Sequence, residues 1–323
     1  MHKIIFLLHN ITDNRGDGEY MPDSNYPKIS ADETFRETVA HGSNEYPFRY
    51  YYEDIWEFEL HTIDWHWHSE VEFILVERGT AYLLAGSKRY VLHEGEGVFI
   101  NSRVIHRLEC DGSTVIPNIV FSPSLLAAEG CLIHEKYIEP VINSTNECMV
   151  FTQKNSAEQK IILIMKEIFY LQSESDNEIK TVSALLELWR LIFEISAPAR
   201  QVSSQSTTSL KRSRLQMIMQ YIHTNYARQL TLDELAAVVS LSKSSVLELF
   251  KQYLHTSPVS YLIEYRLKCA ARLLSDTEKS VSAIAADTGF ENIGYFCRKF
   301  KSLFGMTPSE YRKAASMSRN LTV

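Results

Sequence analysis

Between Phe48 and about Ser122 the apolar residues come in short runs: Val71–Glu77, Ala81–Leu84, Tyr90–Leu92, Val98–Asn101 and Val115–Phe121. Gly79, Gly86, Gly95-Glu96-Gly97 and Asp111-Gly112 punctuate them. Short β-branched and aromatic runs with turn signals between them predict a β-sandwich or small barrel. After Pro123 the period lengthens. Ile161-Ile162, Met165 and Ile168-Phe169 recur at helical spacing, as do Leu185-Leu186, Trp189 and Ile192-Phe193. Two amphipathic helices therefore follow the strands. They either cap the barrel or, because both stripes are wide, also form the seam of a homodimer. Residues 197–213 show no period and read as a linker.

The last hundred residues carry one pattern twice. Leu235-Ala236-Ala237 with Ser240-Leu241 recurs as Ile284-Ala285-Ala286 with Gly289-Phe290, and Phe250-Lys251, Pro258 and Tyr261 recur as Phe300-Lys301, Pro308 and Tyr311. Each copy predicts a short helix, a tight turn and a second helix with an apolar inner face, which is a helix-turn-helix. Thr231 caps the first short helix, with Asp233 and Glu234 in its first turn; Ser242 and Asn292 cap the two second helices. On a helical wheel the first of these turns Val246, Leu249, Phe250 and Tyr253 inward and Ser244, Glu248 and Lys251 outward. The other turns Phe296, Phe300 and Leu303 inward and Gly294, Arg298 and Lys301 outward, with Lys299 beside them. The outward set (Ser242, Ser244, Glu248, Lys251, Asn292, Gly294, Arg298, Lys299 and Lys301) is what a recognition helix presses into a major groove. From Pro258 to about Leu274 one helix of roughly 25 Å joins the copies, long enough to set both near the ~34 Å repeat of DNA.

Charge sharpens this reading. The chain as a whole carries −7, but residues 1–210 hold 17 Lys+Arg against 31 Asp+Glu (−14), whereas residues 211–313 hold 15 against 9 (+6). An acidic body with a basic end fits double-stranded DNA as the partner of the end alone. Five scattered cysteines without a CxxC pair argue against a disulfide framework. The apolar stretch Ile4–Leu8 is too short for a signal peptide, and no run spans a bilayer. The expectation is a cytoplasmic protein with no membrane partner.

Gly289-Phe290, Tyr295-Phe296, Phe300-Lys301, Gly305, Thr307-Pro308 and Tyr311-Arg312 stand at the spacing of the signature of AraC/XylS-type transcription regulators, which the chain resembles over about residues 215–313. Arg266, Ala270-Ala271 and Leu273-Leu274 look like that family's linker helix. The first copy departs from the pattern at His255, where the family usually has Gly, and at Ser245-Val246.

A second constellation lies upstream. His66-Trp67-His68 on a strand puts both imidazoles on one face, Glu72 returns to that face four residues later, and His106 arrives from a later strand. Three imidazoles and a carboxylate are a ligand set for Fe, Mn, Ni or Zn. The order resembles the metal motif of the cupin superfamily, and the AraC/XylS resemblance implies the same fold, since many members carry a cupin-like effector domain. Three readings stay open. The four residues bind a divalent transition metal, line a metal-free effector pocket, or make structural hydrogen bonds. Tyr82, Trp65 and Trp67 offer stacking surfaces to a sugar or related metabolite.

The expected architecture is α+β: a flexible arm (1–45), a cupin-like β-barrel that senses an effector (46–125), a helical dimerisation region (126–196), the linker, and an all-α domain of two helix-turn-helix units joined by a linker helix (214–313). The expected function is DNA-binding transcription regulation in answer to a small molecule, with RNA polymerase as a partner in the case of activation. The rival readings are a metal-dependent cupin enzyme using His66, His68, Glu72 and His106, which has no need of the basic repeat, and a DNA-binding protein whose β-domain only dimerises.

Overall fold

The computed structural model describes Ala31, residues 35–197 and residues 205–320, with the side chains of 205–209 and 318–320 left aside. Most of the expected arm, and much of the expected linker, lie outside these residues.

Among the described residues nine strands build the β-domain: β1 (Phe48–Asp54), β2 (Thr62–His66), β3 (Val71–Leu75), β4 (Thr80–Ala85), β5 (Lys88–His93), β6 (Gly97–Ile100), β7 (His106–Cys110), β8 (Val115–Phe121) and β9 (Cys148–Phe151). They pair antiparallel in a five-stranded sheet, β1-β8-β3-β6-β9, facing a four-stranded one, β2-β7-β4-β5. The strand β9 falls where only helix was expected. Its four residues continue the β6 edge, a long-range pairing that a local period does not reveal.

Alternation along the strands makes two cores. Ile74, Val98, Ile100 and Ile116 point between the sheets to meet Ile63, Leu83 and Leu108. Val71, Phe73, Leu75, Phe99 and Phe121 point the other way. There they are covered by α1 (Ser156–Leu171) and α2 (Glu178–Ile195) through Ile161, Met165, Ile168, Leu185, Trp189 and Ile192. The five-stranded sheet is thus buried on both faces, which is why β3 reads as a continuous apolar run broken only by Glu72.

The C-terminal half is all helix: α3 (Gln205–Asn225), α4 (Leu232–Val238), α5 (Lys243–Leu254), α6 (Pro258–Asp276), α7 (Val281–Asp287), α8 (Ile293–Phe304) and α9 (Pro308–Asn320). Helix α3 starts at Gln205, inside the tract expected as linker, because the stripe Leu215, Ile218, Met219 and Ile222 drives a helix whose weak Ser/Thr start carries no period of its own. The expected caps hold. Thr231 and Glu234 form a reciprocal capping box on α4, Ser242 accepts from Ser245 N at α5, and Asn292 accepts from Tyr295 N at α8.

The two copies turn identically. Ser240 N bonds Ala237 O and Leu241 N bonds Ala236 O; Gly289 N bonds Ala286 O and Phe290 N bonds Ala285 O. Ser240 (φ 53°) and Gly289 (φ 82°) both occupy the left-handed region. After the recognition helices, His255 (φ 52°) and Gly305 (φ 74°) do the same. A Cβ on Gly289 would lie 2.9 Å from Ala227 O and from the Arg266 guanidinium, so only glycine fits there. His255 is exposed, and its left-handed backbone carries the strain that a β-carbon brings there.

Replacing His255 with Gly is therefore expected to stabilise the protein by about 1 kcal/mol, raising Tm by a few degrees. Gly289→Ala should lower Tm by more than that gain. Differential scanning calorimetry checks both, and a destabilised His255→Gly would show that the imidazole makes contacts outweighing its backbone cost.

Candidate functional site

The DNA-facing set comes first. Val246, Leu249, Phe250 and Tyr253 bury the inner face of α5, and Phe296, Phe300 and Phe304 that of α8. Leu303 is only half-buried, at the rim of the second core. Ser242, Ser244, Glu248 and Lys251 are exposed on one unit, and Asn292, Gly294, Arg298, Lys299 and Lys301 on the other. Among the described residues Lys251, Arg298, Lys299 and Lys301 make no salt bridge within 4.0 Å. Elsewhere on these units Lys243 pairs with Asp233 at 3.0 Å, Arg228 with Glu234 at 3.1 Å and Lys279 with Asp287 at 2.7 Å. Lys299 leans toward the Tyr295 ring, 5.8 Å from its centroid.

The second site lies at one end of the barrel. The β2–β7 register slips between Ile63 and His66. Ile63 points into the barrel; without the slip the alternation would carry Trp65 and Trp67 inward and expel the imidazoles. The bulge reverses the phase, so His66 and His68 are buried while Trp65 turns toward α3 and α6. Glu72 enters from β3 beside Ile74. His106 pairs directly with His66 across the ladder, their ring centroids 4.0 Å apart. One ligand atom from each of the four lies within 4.8 Å of the others.

Backbone carbonyls orient all three rings. His66 Nδ1 lies 2.8 Å from Asp64 O, His68 Nδ1 3.2 Å from Glu70 O and His106 Nδ1 2.9 Å from Val104 O. A carbonyl only accepts, so each Nδ1 carries a proton and each Nε2 faces into the cluster, as a lone pair on a neutral ring and as an N–H donor on a protonated one. Glu72 Oε2 stands 3.4 Å from His68 Nε2 and 3.1 Å from His106 Nε2. His106 Nε2, fully buried, has no well-aligned hydrogen-bond partner. Lone pairs facing a carboxylate repel unless a cation, proton or metal, lies between them.

The surrounding charges follow. Burial pushes the Glu72 carboxyl up, but His106 and His68 outweigh it and hold it well below the usual carboxylate range. Burial, seconded by His106, drives His66 down to about 3, so it stays neutral and able to ligate. Burial lifts Glu53 to about 7 against its bond from Asn118 Nδ2.

Sequence reading missed several neighbours. Glu37 N bonds Trp67 O and Trp67 N bonds Phe35 O, so residues 35–37 run along the HxH segment. His41 bridges Glu37 (3.1 Å) and the Tyr51 hydroxyl (2.9 Å), its ring edge-on to His68. Asn101 donates to Val141 O, Ile142 O and Asn146 O, and Ser102 Oγ donates to Ser69 O, fixing the loop that carries His68. Their signal was present only as isolated polar residues in an apolar or irregular context.

Tyr82 does not join the cluster. Ala81, Leu83 and Ala85 take the inward positions of β4, which leaves Tyr82 on the outer face, its hydroxyl donating to Asp111 at 3.0 Å under the Arg89 guanidinium. Trp65 and Trp67 likewise lie outside the barrel, against the first helix-turn-helix unit. The expected stacking platform is therefore not beside the histidines.

A β-barrel with a buried polar cluster, followed by paired helix-turn-helix units with unpaired cations on matching faces, defines a ligand-sensing DNA-binding regulator. Comparison with known proteins agrees. The model of an AraC-like ligand binding domain matches residues 54–188, and that of a helix-turn-helix domain matches residues 235–314. The chain is 29% identical over 296 residues to the HTH-type transcriptional regulator YdeC of Bacillus subtilis, covering 88% of this chain and 98% of that one. It is 26% identical over 147 residues to the lactose operon transcription activator of Staphylococcus xylosus, 46% of this chain and 52% of that. A crystal structure of an AraC-type transcriptional regulator from Chromobacterium violaceum matches 33% of this chain and 96% of its own at 31% identity, with a TM-score of 0.32. The chain belongs to the AraC family of transcription regulators. It is an effector-responsive DNA-binding regulator. Among the described residues no helix is long and apolar enough to cross a membrane.

Proposed function

We propose that α5 and α8 read DNA through Ser242, Ser244, Glu248 and Lys251 and through Asn292, Gly294, Arg298, Lys299 and Lys301, and that the barrel holds a divalent transition metal on His66, His68, Glu72 and His106 as part of its effector site. The observation that carries the first half is the pair of matching exposed faces on α5 and α8, on which Lys251, Arg298, Lys299 and Lys301 make no salt bridge among the described residues. Arg298 stands mid-helix, where a guanidinium reaches guanine O6 and N7 together.

What supports the metal is the geometry of the four donors. All three Nδ1 atoms face carbonyls, so three Nε2 atoms and a carboxylate converge within 4.8 Å of one another, and His66, held neutral by burial, offers a free lone pair there. Histidine and carboxylate donors suit Zn, Ni, Fe or Mn. A bound ion would orient an effector and neutralise Glu72. The regulator reading gives the cluster a binding role and leaves the cupin-enzyme rival without a use for the basic repeat.

The assembly follows from α2. Ile179, 87% exposed, and Leu186 lie one heptad apart and in line with half-buried Phe193, an apolar stripe flanked by the Lys160–Glu187–Arg190 ion pairs. A second copy of the chain covers such a stripe by two-fold symmetry.

Three outcomes are expected. On a duplex enriched from genomic fragments, Arg298→Ala should cost about 1–3 kcal/mol and relax preference at one base pair, while Lys279→Ala changes little. Binding should also weaken steeply with salt. Equal losses across all duplexes would make Arg298 a phosphate contact. Elemental analysis should find about one transition ion per chain, lost in His68→Ala, and a chelator should lower Tm; a metal-free protein indifferent to chelator returns the cluster to hydrogen bonding alone. Sedimentation equilibrium should give a dimer that Ile179→Glu with Leu186→Glu converts to monomer, and a surviving dimer would move the interface elsewhere.

A further inference from the structure

The helix joining the two helix-turn-helix units is fastened to the β-domain by charge. On α6, Lys268 Nζ lies 2.6 Å from Asp64 Oδ2 and 2.9 Å from Glu264 Oε1. On β7, Arg107 Nη1 lies 3.0 Å from Glu264 Oε1 and 3.3 Å from Asp64 Oδ1, and its Nε 2.8 Å from Glu109. The two cations are largely buried. Asp64 is 43% exposed because it borders a cavity of about 200 Å³ between the domains, lined also by Phe35, Trp65, His223, Tyr261 and Lys268. Partners more than 150 residues apart in sequence, with both cations largely buried and the carboxylates partly exposed, make a more specific contact than an isolated surface ion pair.

The seam touches both DNA-reading units. Beside the lattice, Phe35 packs 4.3 Å from the His223 ring and joins Trp65, Leu84 and Ile105 in the apolar cluster of the first unit. Leu60 packs on the core of the second. Next to Leu60 a cleft of about 930 Å³ separates the β-domain from that unit, lined by Trp56, His61, Arg107 and, from α8, Lys301. Lys301 thus borders the acidic body, whereas its counterpart Lys251 does not line this cleft.

The lattice and the histidine cluster occupy opposite faces of the same two strand segments. Asp64 offers its carboxylate outward to Lys268 and its carbonyl inward to His66 Nδ1. Arg107 follows His106 directly on β7. Each of these two imidazoles is thus within two residues of a latch residue on the same strand segment.

We propose that Asp64, Arg107, Glu264 and Lys268 form a latch that holds the DNA-binding half closed on the β-domain, and that the latch transmits the state of the histidine cluster to it. Closed, the latch keeps the acidic β-domain beside the surface that must approach phosphates, which lowers the full chain's affinity for DNA. The transmission half rests on the reading that the cluster binds a metal; the closing half does not.

The test removes the helix side of the latch. Glu264→Gln with Lys268→Met leaves Asp64, Arg107 and Glu109 paired among themselves, so no buried charge is orphaned. In the full chain without added metal, the affinity for a genomic-enriched duplex should rise about tenfold; the single Glu264→Gln, milder for folding, should rise less, and circular dichroism and Tm report the fold. In the parent, adding Zn²⁺ or Ni²⁺ should change DNA affinity by about fivefold or more, a common size for coupling between sites, and in the double variant by less than twofold with metal uptake intact. Unchanged affinity in the metal-free double variant would overturn the latch. A metal effect of full size in that variant would overturn the transmission. A parent that takes up no metal refutes the reading of the cluster and transmission with it, and the latch then stands or falls on the metal-free comparison.

Discussion

One extra residue in β2 decides what both faces of the barrel wall can do. Between Ile63 and His66 the ladder with β7 slips, and every side chain beyond the slip changes face. Before it, Ile63 fills the apolar interior. After it, His66 and His68 turn inward to meet His106 and Glu72, while Asp64 and Trp65 are left outside against the DNA-binding half. A regular strand would bury the tryptophans and expose the imidazoles, leaving neither a polar cluster nor an interdomain seam. The position of the bulge is therefore a stronger constraint than the identity of any one ligand. A barrel interior otherwise filled by Ile, Val and Leu tolerates four polar residues only where their Nδ1 atoms reach the carbonyls of bent or terminal segments, as at Asp64, Glu70 and Val104.

The C-terminal half was almost wholly legible in the sequence, because its signals are local. Caps at Thr231, Ser242 and Asn292, the glycine at 289 and the apolar face of each recognition helix depend on neighbours within four residues, and duplication states each of them twice. The strands β3, β4, β5, β6 and β8 and the grouping of His66, His68, Glu72 and His106 were legible too, but the bulge that turns the imidazoles inward was not. Tyr82 was misplaced because a strand's alternation gives two faces without saying which is the core. That is settled by Ala81, Leu83 and Ala85, small or apolar residues that Tyr82 could not replace inside. The pairing of β9 and the lattice of Asp64, Arg107, Glu264 and Lys268 were invisible for another reason. They join residues brought together only by the closed chain, and charged residues on a helix such as α6 read as a solvated face until their partners are known.

Arg266 shows how the two helix-turn-helix units behave as one body. Its Nε donates to Tyr226 O and its Nη2 to Arg228 O, in the loop between α3 and α4, while the guanidinium lies 5.8 Å over Phe290 of the second unit. The carbonyls satisfy a buried cation without a carboxylate, so the bond does not depend on any acid elsewhere. Gly289 is required beside it because a Cβ would occupy the space of the guanidinium. Units welded at this point move together with α6. A force applied to α6 at Glu264 and Lys268, less than one helical turn from Arg266 on either side, is therefore felt by both recognition helices.

That rigidity explains why the charge segregation along the chain can serve regulation as well as binding. An acidic body attracts the basic half at short range, where Lys268 finds Asp64, and repels phosphates at longer range. The same asymmetry favours the closed form and disfavours the approach of DNA. Yet Lys251, Arg298, Lys299 and Lys301 are not consumed by the body's carboxylates; the seam uses Lys268 and Arg107 instead. Cations for the interface and cations for the groove are thus different residues on different faces. Affinity for DNA can consequently be modulated at the seam without altering which bases are read.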